Sequence, residues 1–289
     1  MKKQSQKSKV RNVLVTGCSS GIGLRATDML QAHGFNVVAT VRQVEDKVML
    51  EKRNIKVVLM DLDDENSINQ GFEQALKLLN GRLDGLFNNA AFGQPGAVED
   101  LSRQALREQF ETNVFGTQQL TNLAISQMRK QGFGRIVYNS SVLGFVSMAY
   151  RGAYNASKYA IEGLADTLRL ELADTDIFVS LIEPGPIASR FRANAFARYE
   201  KHIDINTSAH FETYEALEAR LQKEGPAAPF TLPPDAVVEK CLHAFEATRP
   251  KIRYYVTFPT YLFAVLKRLL PQRALDWFLI KVSDNEKRA

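Results

Sequence analysis

The segment Thr16-Gly17-Cys18-Ser19-Ser20-Gly21-Ile22-Gly23 joins a strand-like run at 13–16 to a helical pattern at 22–33. A second strand-like run follows at 36–40, so this part of the chain predicts a βαβ unit. Glycines at such a junction let the backbone turn tightly, and the start of the helix offers unpaired N–H groups to an anion. The segment therefore predicts a dinucleotide site, with contacts from Gly17, Ser19, Ser20, Gly21, Ile22 and Gly23.

The alternation of short β-rich runs with longer helical stretches continues along most of the chain. Further strands are predicted at 57–60, 83–88, 135–138 and 178–182, and a seventh at 253–257. Strands that are separated by helices imply a parallel sheet covered on both faces. The predicted fold class is α/β, with a single Rossmann-like, doubly wound sheet of about seven strands.

Three segments depart from this alternation. Residues 1–9 are polar and basic and are expected to form a flexible N-terminus, ahead of a Rossmann-like domain at 10–258. The mixed stretch at about 186–233 is expected to cover the carboxyl edge of the sheet as a substrate lid. Residues 259–289 carry two apolar stretches that are too short to span a membrane, and they are expected to form a C-terminal helical extension of the domain.

Composition excludes several classes of function. A chain of 289 residues that is 45% hydrophobic fits one large globular α/β domain. Its net charge of +5 arises partly at the termini, and the sequence shows no known nucleic-acid module and no basic patch interleaved with aromatic residues, so we expect no nucleic-acid partner. The two cysteines, Cys18 and Cys241, do not have the spacing of a disulfide framework. Neither they nor the four histidines have the spacing of a metal site, so we expect no metal. The start lacks the apolar region of a signal peptide, and we expect a cytoplasmic protein.

Tyr154 and Lys158 lie four residues apart and therefore share one face of a predicted helix. An ammonium group near a phenol favours the phenolate, so we expect Lys158 to lower the pKa of Tyr154 and make it a usable acid or base. Ser141 adds a hydroxyl that would orient a substrate oxygen, and Ser140 is the alternative. The pair alone is weak evidence of catalysis, because the same spacing occurs in many surface helices.

The end of the second predicted strand favours NADP(H) over NAD(H). Many NAD sites place an acid there to bond the ribose 2′-OH, whereas 38–42 contains no acid and ends in Arg42. A guanidinium group suits a 2′-phosphate. We expect Arg42 to bind that phosphate, with Thr40 or Gln43 assisting; the alternative is that Arg42 only lies in a solvated loop.

These motifs resemble those of the classical short-chain dehydrogenase/reductase family over essentially the whole chain. The glycine segment is similar to the family's Thr-Gly-x-x-x-Gly-x-Gly, and Asn88-Asn89-Ala90-Ala91 to its Asn-Asn-Ala-Gly, with Ala91 in place of the last glycine. The resemblance implies four catalytic residues: Asn113, Ser141, Tyr154 and Lys158. Asn113 would hold a water molecule of the proton relay. It also implies further cofactor contacts from Asp61, Leu62, Asn88, Ala90, Tyr154, Lys158, Pro184, Gly185 and Ile187.

The resemblance further implies an NADP(H)-dependent oxidoreductase that interconverts an aldehyde or ketone and an alcohol, with Tyr154 as general acid and base. Several sequence segments are similar to those of a bacterial oxidoreductase subgroup and of hydroxysteroid and retinol dehydrogenases. This similarity implies an apolar substrate, and a steroid or retinoid-like alcohol is the alternative substrate class. Aromatic residues beside the motifs are candidates for its pocket: Phe92, Phe145, Tyr150 and Phe191. A non-catalytic NADP(H)-sensing or scaffold protein is the alternative on this fold.

Two expectations concern partners. The resemblance implies a homodimer or homotetramer formed through the helices that carry Asn113 and Tyr154. The apolar stretches after residue 259 allow two interpretations: helices packed on the domain or on a partner subunit, or an anchor that places Tyr261, Phe263 and Trp277 in a lipid interface.

Overall fold

Seven parallel strands form one sheet. The computed structural model describes residues 10–225 and 228–287, with side chains to residue 283, so the predicted flexible N-terminus at 1–9 lies outside the described residues. The strands run in the order β3-β2-β1-β4-β5-β6-β7. Their bounds are β1 Asn12–Val15, β2 Asn36–Val41, β3 Lys56–Leu59, β4 Gly85–Asn88, β5 Gly134–Asn139, β6 Ile177–Pro184 and β7 Arg253–Val256. The strand order reverses between β1 and β4, where parallel α/β sheets bind ligands. The predicted α/β fold is confirmed.

Helices connect the strands and continue beyond the last one. They are α1 Gly21–Ala32, α2 Val44–Glu51, α3 Glu65–Leu78, α4 Arg103–Phe110, α5 Thr117–Gln131, α6 Gly152–Glu171, α7 Phe191–His202, α8 Phe211–Gln222, α9 Asp235–Glu246, α10 Phe258–Leu269 and α11 Gln272–Lys287. A π-helical turn, Glu111–Gly116, joins α4 to α5. The sequence did not predict α2, because only Leu50 of that helix is buried and its apolar pattern is weak.

The core lies on both faces of the sheet, because alternate residues of each strand point to opposite sides. On β1, Val13 and Val15 join the apolar cluster under α1 and α9, whereas Leu14 joins the cluster under α3 and α5. Both sets are fully buried. The apolar runs of the central strands are therefore explained by burial on two faces.

Helices α7 and α8 occupy the segment predicted as a lid. They share an apolar cluster in which Tyr199 and Tyr214 are buried. Tyr214 Oη donates to Asp100 at 2.6 Å and accepts from the Ala97 amide at 2.8 Å, which fixes α8 to the loop after β4. The two ends of the segment are joined by backbone bonds, from the Ala188 amide to the Leu232 carbonyl at 2.9 Å and from the Leu232 amide to the Pro186 carbonyl at 3.1 Å.

Helices α10 and α11 pack on the turn that follows β5. Phe263 of α10 and Leu275 and Leu279 of α11 share a cluster with Val142 and Leu143. One face of each helix is thus buried against the domain. Within the described ranges, none of the helices is long and apolar enough to cross a membrane.

Candidate active site

The loop between β1 and α1 has the geometry that a pyrophosphate requires. Gly17 and Gly21 have φ of 69° and 57°, in the left-handed region that favours glycine. A Cβ atom on Gly23 would lie 2.1 Å from the Gly17 carbonyl oxygen, so only glycine fits there. The first turn of α1 contains no acid, which leaves the helix N-terminus suited to an anion. These residues fit the phosphates of a dinucleotide.

Side chains of two neighbouring loops lock this turn in place. Thr16 Oγ1 accepts from the amides of Asn89 and Ala90, both at 2.9 Å. Asn89 Nδ2 donates to the Thr16 carbonyl at 2.9 Å, and Asn139 Nδ2 donates to Asn89 Oδ1 at 3.0 Å. The loops after β1, β4 and β5 are thereby joined. Sequence reasoning did not assign Thr16, Asn89 or Asn139 to the site, although the first two belong to the motifs that it quoted.

Ala91 fits where the related family has glycine. A Cβ atom on Gly17 would lie 2.9 Å from Ala90 Cα, so the close approach to this loop is made at Ala90. Ala91 does not have a positive φ, and no glycine is required there. Asn88, on the same loop, donates through Nδ2 to Thr121 Oγ1 at 2.8 Å and is buried.

Arg42 follows β2 and is exposed, as is Gln43. Within residues 10–225 and 228–287, neither a hydrogen bond nor an ion pair engages the Arg42 guanidinium. Thr40 is buried, whereas Gln43 is exposed beside Arg42, and the Thr40 carbonyl accepts from the Cys18 amide at 2.9 Å. Cys18 itself is fully buried, and burial raises the pKa of its thiol to about 11. The thiol is therefore a packing group.

The acidic residues after β3 mainly start α3. Asp64 Oδ1 accepts from the amides of Asn66 and Ser67 at 2.8 and 3.3 Å, which caps the helix. Asp61 Oδ1 accepts from the Asp63 amide at 3.1 Å, and its own amide donates to Ser67 Oγ at 2.9 Å. Leu62 is buried. Asp61 thus stands at the carboxyl end of β3, as its predicted contact with the cofactor requires.

Helix α6 places Tyr154 and Lys158 on one face. Lys158 Nζ lies 5.6 Å from the centroid of the Tyr154 ring and donates to the Asn139 carbonyl at 2.7 Å. The Ser141 hydroxyl faces the Tyr154 phenol, whereas the Ser140 hydroxyl faces Glu162. The structure therefore brings Ser141, Tyr154 and Lys158 together and turns Ser140 away.

The protonation of this group differs from the sequence prediction. Burial raises the pKa of Tyr154 to about 12, and the Ser141 hydroxyl only partly offsets that effect. Burial also lowers the pKa of Lys158 to about 8, against the opposing influence of Glu162. The sequence predicted a lowered pKa for Tyr154, whereas the net shift in this structure is upward, because desolvation disfavours the phenolate. The phenol is neutral at pH 7 and can donate a proton.

Asn113 lies in the π-helical turn and joins the loop after β4 to α6. Its Nδ2 donates to the Phe92 carbonyl at 3.0 Å and to Ser157 Oγ at 3.1 Å, while its Oδ1 accepts from the Phe92 amide at 3.2 Å. Ser157 Oγ in turn donates to the Tyr154 carbonyl at 2.8 Å. The side chain therefore positions the turn of α6 that carries Tyr154, and both of its N–H groups are used in doing so.

Two of the four predicted pocket residues adjoin Tyr154. The Phe191 ring lies 5.3 Å from the Tyr154 ring at 61°, and Phe145 shares an apolar cluster with Tyr154, α10 and α11. Phe92 is buried beneath Arg198, whose guanidinium lies 4.3 Å above its ring. Tyr150 packs on α8 instead, at 6.2 Å from the Tyr214 ring.

The loop after β6 approaches the glycine segment. A Cβ atom on Gly185 would lie 2.2 Å from Thr257 Oγ1, so a larger residue does not fit beside β7. Ser189 Cβ would lie 3.2 Å from a Cβ on Gly21, and Ile187 pairs with Leu232. The loop that follows Pro184 thus reaches the phosphate loop at Ser189, and Ile187 lies on it between Gly185 and that contact.

Comparisons with known proteins agree with this geometry. Residues 11–200 match the short chain dehydrogenase family. The chain is 43% identical to the uncharacterized oxidoreductase YbbO of Escherichia coli over 269 residues, covering 93% of this chain and 94% of that protein. Human retinol dehydrogenase 8 is 32% identical over 84% of this chain and 80% of its own length.

Two further comparisons concern cofactor and fold. The NADPH-dependent 3-dehydrocapnine reductase of Ornithobacterium rhinotracheale is 31% identical over 94% of this chain and 97% of its own length. The crystal structure of a short-chain dehydrogenase from Streptomyces avermitilis superposes with a TM-score of 0.73 at 28% identity, covering 97% of this chain and 99% of that one.

Proposed function

This chain belongs to the short-chain dehydrogenase family, as its motifs predicted, and we propose that it is an NADP(H)-dependent oxidoreductase interconverting an apolar aldehyde or ketone and its alcohol. The observation that carries the proposal is the placement of Tyr154 between the Ser141 hydroxyl and Lys158, at the edge of the sheet where the glycine loop lies. A neutral phenol beside a hydroxyl and an ammonium is a suitable acid for a carbonyl oxygen.

Each residue of the group has a distinct task. When bound, NADPH supplies the hydride that reduces the carbonyl carbon. Ser141 holds the carbonyl oxygen, and Tyr154 donates the phenolic proton to it. Lys158, fixed by the Asn139 carbonyl, stabilises the phenolate that remains, and Asn113 keeps this turn of α6 in register with the loop after β4.

The preference for NADP(H) is proposed from the end of β2. The exposed Arg42 guanidinium is available to a 2′-phosphate, and residues 38–42 contain no acid that would bond a 2′-OH. A relative whose name describes it as NADPH-dependent supports the same choice.

The substrate is proposed to be apolar because the side chains that adjoin Tyr154 are apolar. Phe191 covers one side of its ring, and the cluster that includes Phe145, Phe263, Leu266 and Leu279 lies on another. We assign residues 186–233 as the lid and 259–289 as the extension that completes this cluster. Because human retinol dehydrogenase 8 is a relative, a retinoid or steroid-like alcohol is the second substrate class.

A substrate panel tests the proposed function. Medium-chain and aromatic aldehydes, ketones and alcohols are incubated with NADPH, NADH and their oxidised forms, and nicotinamide absorbance is followed. We expect turnover of apolar carbonyls with NADPH. Turnover with NADH alone would contradict the role of Arg42, and cofactor binding without turnover of any substrate would support the non-catalytic sensor.

We also propose a homodimer through the helices that carry Asn113 and Tyr154. Their outer face exposes large apolar side chains, with Phe115 55% and Leu170 67% accessible. Exposed apolar side chains mark an interface where they form a contiguous patch. Sedimentation of the protein and of a Leu170→Glu variant tests it: the variant should be monomeric, and a monomeric parent protein would contradict the proposal.

The outer face of the C-terminal helices is proposed to contact an anionic membrane surface from the cytoplasm. It exposes Tyr261, Val265, Leu269 and Trp277, and residues 257–283 contain four cations but one acid, Asp276. Phe263, in contrast, is buried in the domain and cannot enter lipid as predicted. Trp277 is the only tryptophan, so its emission should shift to the blue with anionic vesicles but not with zwitterionic ones; equal emission with both would contradict the contact.

A further inference from the structure

A cluster of charged groups lies one helical turn beyond Lys158. Arg253 of β7 donates through Nη1 to Glu183 of β6 at 2.5 Å and also to Glu162 of α6. Its Nη2 donates to Asp166 of α6 at 2.6 Å. Glu183 is fully buried and Glu162 is 7% exposed. Three carboxyl groups therefore surround one guanidinium, and two of them are out of contact with water.

Each of the two buried carboxyl groups has one oxygen with no hydrogen-bond partner in the described structure, Glu162 Oε1 and Glu183 Oε2. The two groups adjoin each other, and burial followed by the Glu162 carboxylate raises the pKa of Glu183. Adjacent buried carboxylates do not both ionise. The Ser140 hydroxyl, which also lacks a partner, adjoins Glu162 Oε1. A single proton held between the two carboxyl groups supplies the bond that Glu183 Oε2 lacks and leaves one negative charge on the pair, beside Arg253.

Glu162 also contacts two parts of the catalytic group. It follows Lys158 by four residues on the same face of α6, and its charge counteracts the effect of burial on the Lys158 ammonium. A Cβ atom on Gly144 would lie 2.9 Å from Glu162 Cγ, so this side chain packs directly under the turn that follows Ser141. The Ser140 hydroxyl faces it as well.

We propose that Glu162 and Glu183 share one proton as a positioning pair, in which Glu162 keeps Lys158 charged and supports the turn that carries Ser141. The effect on turnover rests on the proposed function, whereas the shared proton does not. With that proton in place, the pair and Asp166 carry two negative charges, which face Lys158, Arg253 and Arg169, whose Nη2 lies 3.5 Å from Asp166 Oδ1. The other ionisable groups that face the cluster are Arg169 of α6, through Asp166, and Tyr255 of β7.

Infrared spectroscopy of the whole protein tests the shared proton without reference to activity. At neutral pH the parent protein should show the carbonyl band of a protonated carboxyl group, and Glu162→Gln and Glu183→Gln should each lose it. Absence of that band from the parent protein, or its persistence in both variants, would overturn the pair. Thermal unfolding of the variants checks that they remain folded.

The pH profile of reduction tests the effect on Lys158. Glu162→Gln removes the carboxylate nearest Lys158, so the alkaline limb of kcat should move about one unit to lower pH, with roughly tenfold lower kcat at pH values where the parent and variant rates are both falling. Glu183→Gln replaces the shared proton with an amide proton, so its limb should stay near that of the parent. Glu162→Asp should restore the pH of the limb in part. Asp166→Asn is the matched control, because Asp166 contacts the same Arg253 guanidinium.

Three outcomes are informative. An unmoved limb in Glu162→Gln shows that the carboxylate does not act on Lys158 and overturns the proposal. Equal displacement in Glu162→Gln and Glu183→Gln means that both groups are ionised, which also overturns it. If the parent protein reduces no carbonyl at all, the proposed function fails, and the infrared band alone decides whether the pair exists.

Discussion

Lys158 Nζ donates a 2.7 Å hydrogen bond to the backbone carbonyl of Asn139, at the carboxyl end of β5. The bond ties α6 to the sheet, so the position of the ammonium is fixed by the backbone of a central strand. The ammonium can lose its charge near neutral pH, because burial lowers the pKa of Lys158 to about 8. The structure therefore predicts that a rise in pH changes the charge of Lys158 and leaves its position unchanged.

The rate of carbonyl reduction should fall as the pH rises past the lowered pKa of Lys158, which is about 8. Below that value the ammonium is present and Tyr154, with its pKa raised to about 12, is protonated, so both are in the form that reduction needs. Above it Lys158 loses its charge first. Steady-state kcat with NADPH, measured from below to above this pKa, gives the position of this alkaline limb of the pH profile.

Lys158→Arg supplies the control for this limb. A guanidinium stays charged throughout the accessible pH range, so a variant that still turns over should lack the limb. Lys158→Met should be slow at every pH. A limb that is identical in the parent protein and in Lys158→Arg would assign it to another group.

Replacing Arg42 should change the choice of cofactor. Arg42→Asp removes the cation and adds a charge that repels a 2′-phosphate, so kcat/KM with NADPH should fall about 100-fold, the scale of a lost charge-assisted bond of about 1.5–3 kcal/mol. Efficiency with NADH should be unchanged or higher. Lys52→Asp, an equal charge change at the exposed end of α2, is the matched control. An unchanged preference for NADPH would exclude Arg42 as the phosphate ligand.

Gly23→Ala should disrupt the phosphate loop. The added Cβ would lie 2.1 Å from the Gly17 carbonyl oxygen and 2.7 Å from Asn89 Nδ2, so backbone must move. We expect destabilisation of about 3 kcal/mol, at the upper end for an overpacked site, and loss of NADPH binding. Gly163→Ala on α6 has nothing within 4 Å and should instead gain about 1 kcal/mol from helix propensity. Thermal unfolding and NADPH titration distinguish the two variants, and equal stability would refute the close approach.

Phe191 is predicted to contribute to substrate binding through its contact with Tyr154. Phe191→Ala removes a ring whose centroid lies 5.3 Å from that of Tyr154. The KM for an apolar carbonyl should rise roughly three- to tenfold, as expected for a lost aromatic contact of about 0.5–1.5 kcal/mol, while the Kd for NADPH is unchanged. Phe211→Ala, on the exposed side of the lid, is the control. A KM that does not change would remove Phe191 from the pocket.

The sheet could be predicted from sequence because its strands are short apolar runs separated by strong helical patterns, as at Val37 and Leu86. Helix α2 could not, because it buries one leucine. The glycine loop was readable at Gly17, Gly21 and Gly23, since the first two have a left-handed φ and the third has no room for a Cβ atom. Elements with a large buried face, or with a steric requirement, are thus the ones that the sequence discloses.

The chemistry of the site was less readable. Spacing placed Tyr154 and Lys158 on one face of a helix. The direction of their pKa shifts depends on burial, and burial results from residues that lie far apart in the chain and come together in the fold. The bonds that Asn89 and Asn139 make between loops have the same long-range origin. Arg253 lies 91 residues from Glu162, and no spacing in the sequence predicts their contact.

Transfer of deuterium from cofactor to substrate is the most direct test of the central role of Tyr154. The protein is mixed in a single turnover with NADPH deuterated at the reactive C4 position and an apolar aldehyde, and the alcohol is analysed by mass spectrometry. The parent protein and Tyr159→Phe, an exposed tyrosine of α6, should form alcohol with deuterium on the former carbonyl carbon, in an amount equal to the cofactor oxidised. Tyr154→Phe should bind NADPH yet transfer deuterium at least about 100-fold more slowly. Equal transfer by Tyr154→Phe and the parent protein would contradict the assignment of Tyr154 as the acid.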